Sequence, residues 1–67
     1  MNDIILAVEE IGMDGSISLI GYSKRTLYRW CKAINEYLEK NHFDWRVCAD
    51  AKNMCINVKE DSDGIIQ

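Results

Sequence analysis

Side chains able to act as nucleophiles, soft metal ligands or neutral-pH proton carriers are few here: Cys31, Cys48, Cys55 and the single histidine, His42. None of them stands in a CxxC or HxxxH spacing, whereas a structural zinc site needs four converging ligands. Cys31 falls on the apolar stripe of a helix described below, where a reduced thiol behaves as a small hydrophobe. An odd number of cysteines without close pairs is a poor disulfide framework. The sequence therefore implies no metal and no cofactor. Cys48 and Cys55 are the one pair with another reading, since neighbouring strands place them opposite each other, as a cross-strand disulfide or a shared metal edge. Glu9 and Glu10 are adjacent, and a strand would point them to opposite faces, which is no geometry for an acid/base pair. His42, beside Phe43 at a helix terminus, suits a capping or packing role. No glycine-rich phosphate loop is present, and a chain of 67 residues rarely encloses a pocket. We expect no catalytic residues and a non-enzymatic protein.

Residue types suited to recognition are better represented. Arg25, Tyr28, Arg29 and Lys32 share one face of a helix, and an aromatic among cations is the usual chemistry of a binding hot spot. A second surface has the opposite sign. Glu9, Glu10 and Asp14 lie in a segment, residues 1–23, that contains no Lys or Arg. All eight bases of the chain fall between Lys24 and Lys59, and Glu60, Asp61 and Asp63 follow them. The net charge of −3 thus hides an electrically segmented chain, suited to a charged partner. Either the acidic segment docks on a basic groove as a mimic of nucleic acid, or the Arg25/Tyr28/Arg29/Lys32 face seizes an acidic patch.

These residues need elements to position them. Ser23 is a favoured N-cap. After it, Leu27, Trp30, Cys31, Ile34 and Leu38 recur at three- and four-residue spacing, which predicts an amphipathic helix ending near residues 40–42. Residues 45–49 and 54–59 alternate apolar and polar about a four-residue loop, 50–53, which predicts an antiparallel hairpin pairing Ala49 with Met54, Val47 with Ile56 and Trp45 with Val58. A slip of two residues would leave its faces unchanged. Residues 1–22 carry two patterns. Asp14-Gly15 is a good hairpin turn, and Ile4, Leu6 and Val8 then join Ile17 and Leu19 on one strand face. Ile4, Val8 and Ile11 also fit a helical stripe that starts near Asp3 and ends at Gly12. The favoured layout is hairpin–helix–hairpin, ββαββ: a four-stranded antiparallel sheet with one helix across it, a single domain over residues 1–60 with a polar tail over 61–67. Both faces of such a first hairpin carry apolar residues, which would suit a homodimer.

The segment Gly21-Tyr22-Ser23-Lys24-Arg25-Thr26-Leu27-Tyr28-Arg29-Trp30 resembles the entry to the recognition helix of helix-turn-helix DNA-binding proteins. In that family a glycine in the turn precedes a Ser-capped helix whose first residues face the major groove. The resemblance implies Lys24, Arg25, Tyr28 and Arg29 as groove-facing residues and Leu27 and Trp30 as core. It covers about ten residues and departs upstream, where the preceding helix would have to fit into residues 13–20 around Gly15. With residues 3–11 as a helix and the C-terminal hairpin as a wing, a winged helix-turn-helix is the alternative architecture, and a DNA-binding transcriptional regulator the alternative function. In size and general character the chain is similar to the compact inhibitors that phages and mobile elements encode, such as anti-CRISPR proteins and polymerase inhibitors. That likeness implies a regulator acting by surface occlusion of a larger protein or nucleoprotein complex. A homodimeric assembly protein is a third reading. No apolar run reaches the ~18 residues of a membrane helix, and no signal-peptide pattern opens the chain, so a cytoplasmic location is expected.

Overall fold

The computed structural model describes residues 2–59, in the order α1 (Asn2–Asp14), β1 (Ser16–Ser18), α2 (Lys24–Lys40), β2 (Arg46–Asp50) and β3 (Cys55–Lys59). The tail expected over 61–67 lies outside the described residues. The three strands form one antiparallel sheet in the order β1-β3-β2, and the two helices cover its apolar face.

This architecture corrects the expected ββαββ layout: the sheet is three-stranded rather than four-stranded, and the first hairpin is replaced by a helix and one short strand. The decision was made at Ala7 and Leu6. A strand would bury Leu6 with Ile4 and Val8, but Leu6 is 60% exposed while Ala7 is 6% exposed. Ile4, Ala7, Val8 and Ile11 form the i, i+3, i+4, i+7 stripe of a helix, and Ala favours helix over strand. Asp14-Gly15 ends that helix instead of turning a hairpin. Gly15 has φ +87°, and its N–H donates to the Ile11 carbonyl at 2.7 Å, closing a left-handed C-cap. A glycine at positive φ serves a primed turn and a helix terminus equally well, so the dipeptide does not distinguish them. The winged helix-turn-helix alternative is corrected too. Residues 13–20 are occupied by the end of α1, Gly15 and β1, so a strand separates α1 from α2 and the helix that the motif needs directly ahead of α2 is missing.

The central helix is the element most directly written in the chain. Ser23 caps α2, its hydroxyl oxygen accepting from the Thr26 N–H at 3.1 Å. Leu27, Ile34 and Leu38 are fully buried on one stripe. At the other end Phe43 N–H donates to the Leu38 carbonyl and His42 N–H to that of Glu39, the two bonds of a Schellman cap. His42 occupies the left-handed position, φ +64°, that glycine fills most cheaply. Replacing His42 by Gly is expected to stabilise the fold by about 0.5–1 kcal/mol, raising Tm by roughly 4–8 °C per kcal/mol. Thermal denaturation followed by circular dichroism tests this, and an unchanged or lower Tm would count against the cap. Phe43 then folds back beside Tyr37 and meets Trp45 edge-on, with ring centroids 6.2 and 5.9 Å apart.

The C-terminal hairpin forms, slipped by two residues from the simplest register. Val47 pairs with Val58 and Ala49 with Ile56. An even slip preserves the faces, so Val47, Ala49, Ile56 and Val58 face the helices while Arg46, Cys48, Asp50, Cys55 and Asn57 face away. The slip does separate the two thiols. Cys48 opposes Asn57, and Cys55 opposes Asp50, so the cross-strand disulfide or shared metal edge has lost its direct pairing, and all three cysteines are free. Asp50 sets the turn. Its Oδ1 accepts from the N–H groups of Lys52 and Asn53, and its Oδ2 from the Asn53 side-chain amide at 2.9 Å. β1 pairs with β3 through Ile17 opposite Ile56, and the ladder extends at both ends through Leu19 N–H to Met54 O and Val58 N–H to Gly15 O.

Candidate protein-binding surfaces

The two sheet edges are finished differently. At the β2 edge, the Asn35 side chain of α2 takes the place of a neighbouring strand. Its Oδ1 accepts the Val47 N–H at 2.8 Å, and its Nδ2 donates to the Val47 carbonyl at 3.0 Å. The Cys31 thiol, on the same flank of α2, lies 3.7 Å from the same carbonyl. Burial, with a smaller contribution from nearby Cys48, pushes the Cys31 thiol above its ordinary range. Cys48 itself is exposed. Alkylation by iodoacetamide should therefore modify Cys48 well before Cys31, because the thiolate is the reacting form and Cys31 is both covered and less ionised at a given pH. Peptide mapping of a time course checks the order, and equal rates would mean that the α2–β2 packing opens readily. The Asn53 side chain and then the Asn53 amide hold the Asp50 carboxyl below the usual carboxylate range, outweighing an opposing effect of burial, with lesser help from the Lys52 amide and charge. Its contribution to stability is present above that range and fades as pH falls through the lowered value.

On the opposite flank of α2 the surface is not closed. A groove runs between α1, β1 and the 19–22 segment, with Ala7, Ile17 and Leu19 beneath it and Trp30 of α2 along it. Leu6 and Tyr22 stand on its sides, exposed by 60% and 57%, and Asp3 and Glu10 line it from α1. The helical period explains the grouping, because residues 3, 6 and 10 lie on one flank of α1, three and four apart. Of the seven large hydrophobic side chains exposed among the described residues, five (Ile5, Leu6, Met13, Ile20 and Tyr22) belong to α1 and the segment that follows β1. The apolar surplus read from the first 22 residues is thus real, but it lies on the solvent side of a helix and on a loop, not on a second sheet face.

The surfaces read from the sequence are placed as follows. Arg25, Tyr28, Arg29 and Lys32 are all exposed on α2, and the helical period puts them on one stripe. Glu9, Glu10 and Asp14 are exposed on α1. Of these only Glu10 reaches the groove, which the sequence pattern did not reveal. Asp3, Leu6, Tyr22 and Trp30 join Glu10 there. The 3.6-residue period applied to residues 3–10 finds Asp3 and Leu6, putting Leu6 opposite the core, whereas Tyr22 and Trp30 are brought to the groove by the tertiary fold. Among the described residues no group of three or more His, Cys, Asp or Glu side chains is placed to hold a metal ion. No helix among the described residues is long and apolar enough to cross a membrane. No family model, no curated protein and no solved structure matches the chain.

Proposed function

We propose that this chain is a small non-enzymatic binding protein that acts by occupying a surface on a larger protein. The observation that carries the reading is the concentration of exposed apolar side chains on α1 and residues 20–22. Isolated exposed hydrophobics are ordinary, but five of them concentrated on one helix and one loop, with Leu6 and Tyr22 on the same groove, mark an interaction surface. Burying Leu6 and Tyr22 against a partner recovers hydrophobic free energy that the monomer forgoes, at about 25 cal/mol per Å². The segmented charge distribution supplies orientation and speed of encounter.

The test is a comparison of the native chain with the double variant Leu6→Ser, Tyr22→Ser as bait in cells of the source organism. Both side chains are exposed, so the variant is expected to keep its Tm within a few degrees. A partner captured by the native chain and lost by the equally stable variant supports the surface. Undiminished capture by the variant removes it.

A second reading rests on the other surface. Lys24 and Arg25 occupy the first turn of α2, where the helix dipole disfavours positive charge, and with Arg29 and Lys32 they form an exposed cationic stripe. Duplex DNA or RNA is the rival ligand for that stripe. The double charge reversal Arg25→Glu, Arg29→Glu would then lower affinity for all duplexes alike and reduce the salt slope by about one unit for each phosphate no longer neutralised. Under the leading reading, duplex titration produces no saturable change in either form.

A further inference from the structure

Within the protein-binding reading, on which this inference rests, we propose that the α1–β1 groove receives a basic amphipathic helix of its partner, an apolar residue seated between Leu6 and Tyr22 and a cation at each of Asp3 and Glu10. The argument begins with what the groove lacks. Asp3 and Glu10 line it, and among the described residues no Lys or Arg lines it with them. Apolar side chains lie between them: Leu6 on α1, Tyr22 across the gap, and half-buried Trp30 with buried Leu19 beneath. An acidic partner would bring like charges together at both ends, which costs affinity. A purely polar partner would leave the Leu6, Tyr22 and Trp30 surfaces facing unsatisfied polar groups. The occupant whose chemistry matches is cationic at the ends and apolar between them.

The spacing specifies more. Asp3 and Glu10 are seven residues apart on one helix, so about 10 Å separates them along its axis at 1.5 Å per residue. A helix lying alongside α1 presents the same interval between its positions i and i+7, with i+3 and i+4 turned to the same side. A partner with Lys or Arg at i and i+7 and Leu, Ile or Met at i+3 and i+4 would place both cations and the apolar anchors in one docking. This is the helix-in-groove mode of recognition, with charge setting the register.

The experiment is a nitrogen-15 NMR titration of the full chain with three synthetic alanine-based peptides of about 15 residues, long enough to populate helix. The first carries Lys at i and i+7 and Leu at i+3 and i+4. The second replaces both Lys by Glu, and the third replaces both Leu by Ser. The expected result is saturable perturbation of Leu6, Glu10, Leu19, Tyr22 and the Trp30 indole by the first peptide only, weakening as salt shortens the screening length. The double reversal Asp3→Lys, Glu10→Lys should cut affinity for the Lys peptide about tenfold and confer binding of the Glu peptide. Binding of the Lys and Glu peptides with equal affinity at the groove would overturn the proposed charge complementarity while leaving the protein-binding surface intact. Perturbations confined to other surfaces, or none with any peptide, would overturn the groove as the docking site. The bait comparison of Leu6→Ser, Tyr22→Ser is independent of the peptides, and loss of capture there would preserve the broader reading.

Discussion

Replacing Ile56 by alanine is expected to unfold the protein at 25 °C. Ile56 has no solvent exposure, stands in the central strand of the sheet, and is flanked directly by Ile17 on one side and Ala49 on the other. The two helices close over that row, so the loss of side-chain volume leaves a cavity that the surrounding core fills only in part. Ile to Ala in such a position costs about 2–5 kcal/mol. A core of this size rarely supplies more than about 3–5 kcal/mol in all. The substitution therefore removes most or all of the margin, and the circular dichroism spectrum in buffer should lose its cooperative thermal transition. Ile56→Val, which removes one methyl group, is the control. It should remain folded with a loss of about 0.5–1.5 kcal/mol, read from urea denaturation. A folded Ile56→Ala variant that loses less than about 1 kcal/mol would show that the core does not depend on this row.

The same row shows why the chain is legible in its second half and ambiguous in its first. In α2 the apolar stripe, the Ser23 cap and the polar outer face all agree on one period, and the hairpin alternates cleanly enough that even a slipped register keeps Ile56 and Val47 inward. Local and global preference coincide there. In residues 4–8 five apolar side chains follow one another, so no period is written into them, and β-branched Ile4, Ile5 and Val8 favour strand as much as Ala7 and Leu6 favour helix. The choice was made by tertiary packing. α1 covers the β1–β3 side of the sheet face, which α2 alone leaves open, and β1 joins β3 instead of pairing with residues 4–8. A three-residue strand such as Ser16–Ser18 carries only one buried side chain, Ile17, too little for any pattern to announce. The groove inherited this ambiguity, because Leu6 belongs to the core in a strand and to the surface in a helix. The outward position of Arg25, Tyr28, Arg29 and Lys32 depended only on α2, and was readable for that reason.

Substituting Asn35 is expected to produce the second largest loss, and one with a diagnostic pH dependence. The Val47 N–H and carbonyl point away from β3 at a half-buried sheet edge, and the Asn35 carboxamide satisfies both at 2.8 and 3.0 Å. Asn is the natural choice because its side chain carries one acceptor and a donor in the geometry of a peptide group. Asn35→Leu keeps the approximate volume but orphans both backbone groups, at about 1–3 kcal/mol each when they are denied water. Some of that is recovered wherever water reaches the edge, so a net loss of about 2–3 kcal/mol is expected. An uncovered β2 would also present free backbone groups to a second copy, and size-exclusion chromatography should show concentration-dependent association. Asn35→Asp separates the hydrogen bond from the packing. The new carboxylate still accepts the Val47 N–H but sets an anion against the Val47 carbonyl, so half-burial and that repulsion raise its folded pKa above the unfolded value. A raised pKa gives stability that is present below the unfolded pKa and is lost as pH rises through the folded one. Asn35→Asp should therefore approach the native Tm in acid, where the protonated carboxyl donates to Val47 O, and fall away from it toward neutral pH. Thermal scans of both proteins across the carboxylate range decide the matter: parallel curves for the two would mean that the side-chain bridge to β2 contributes nothing to the fold.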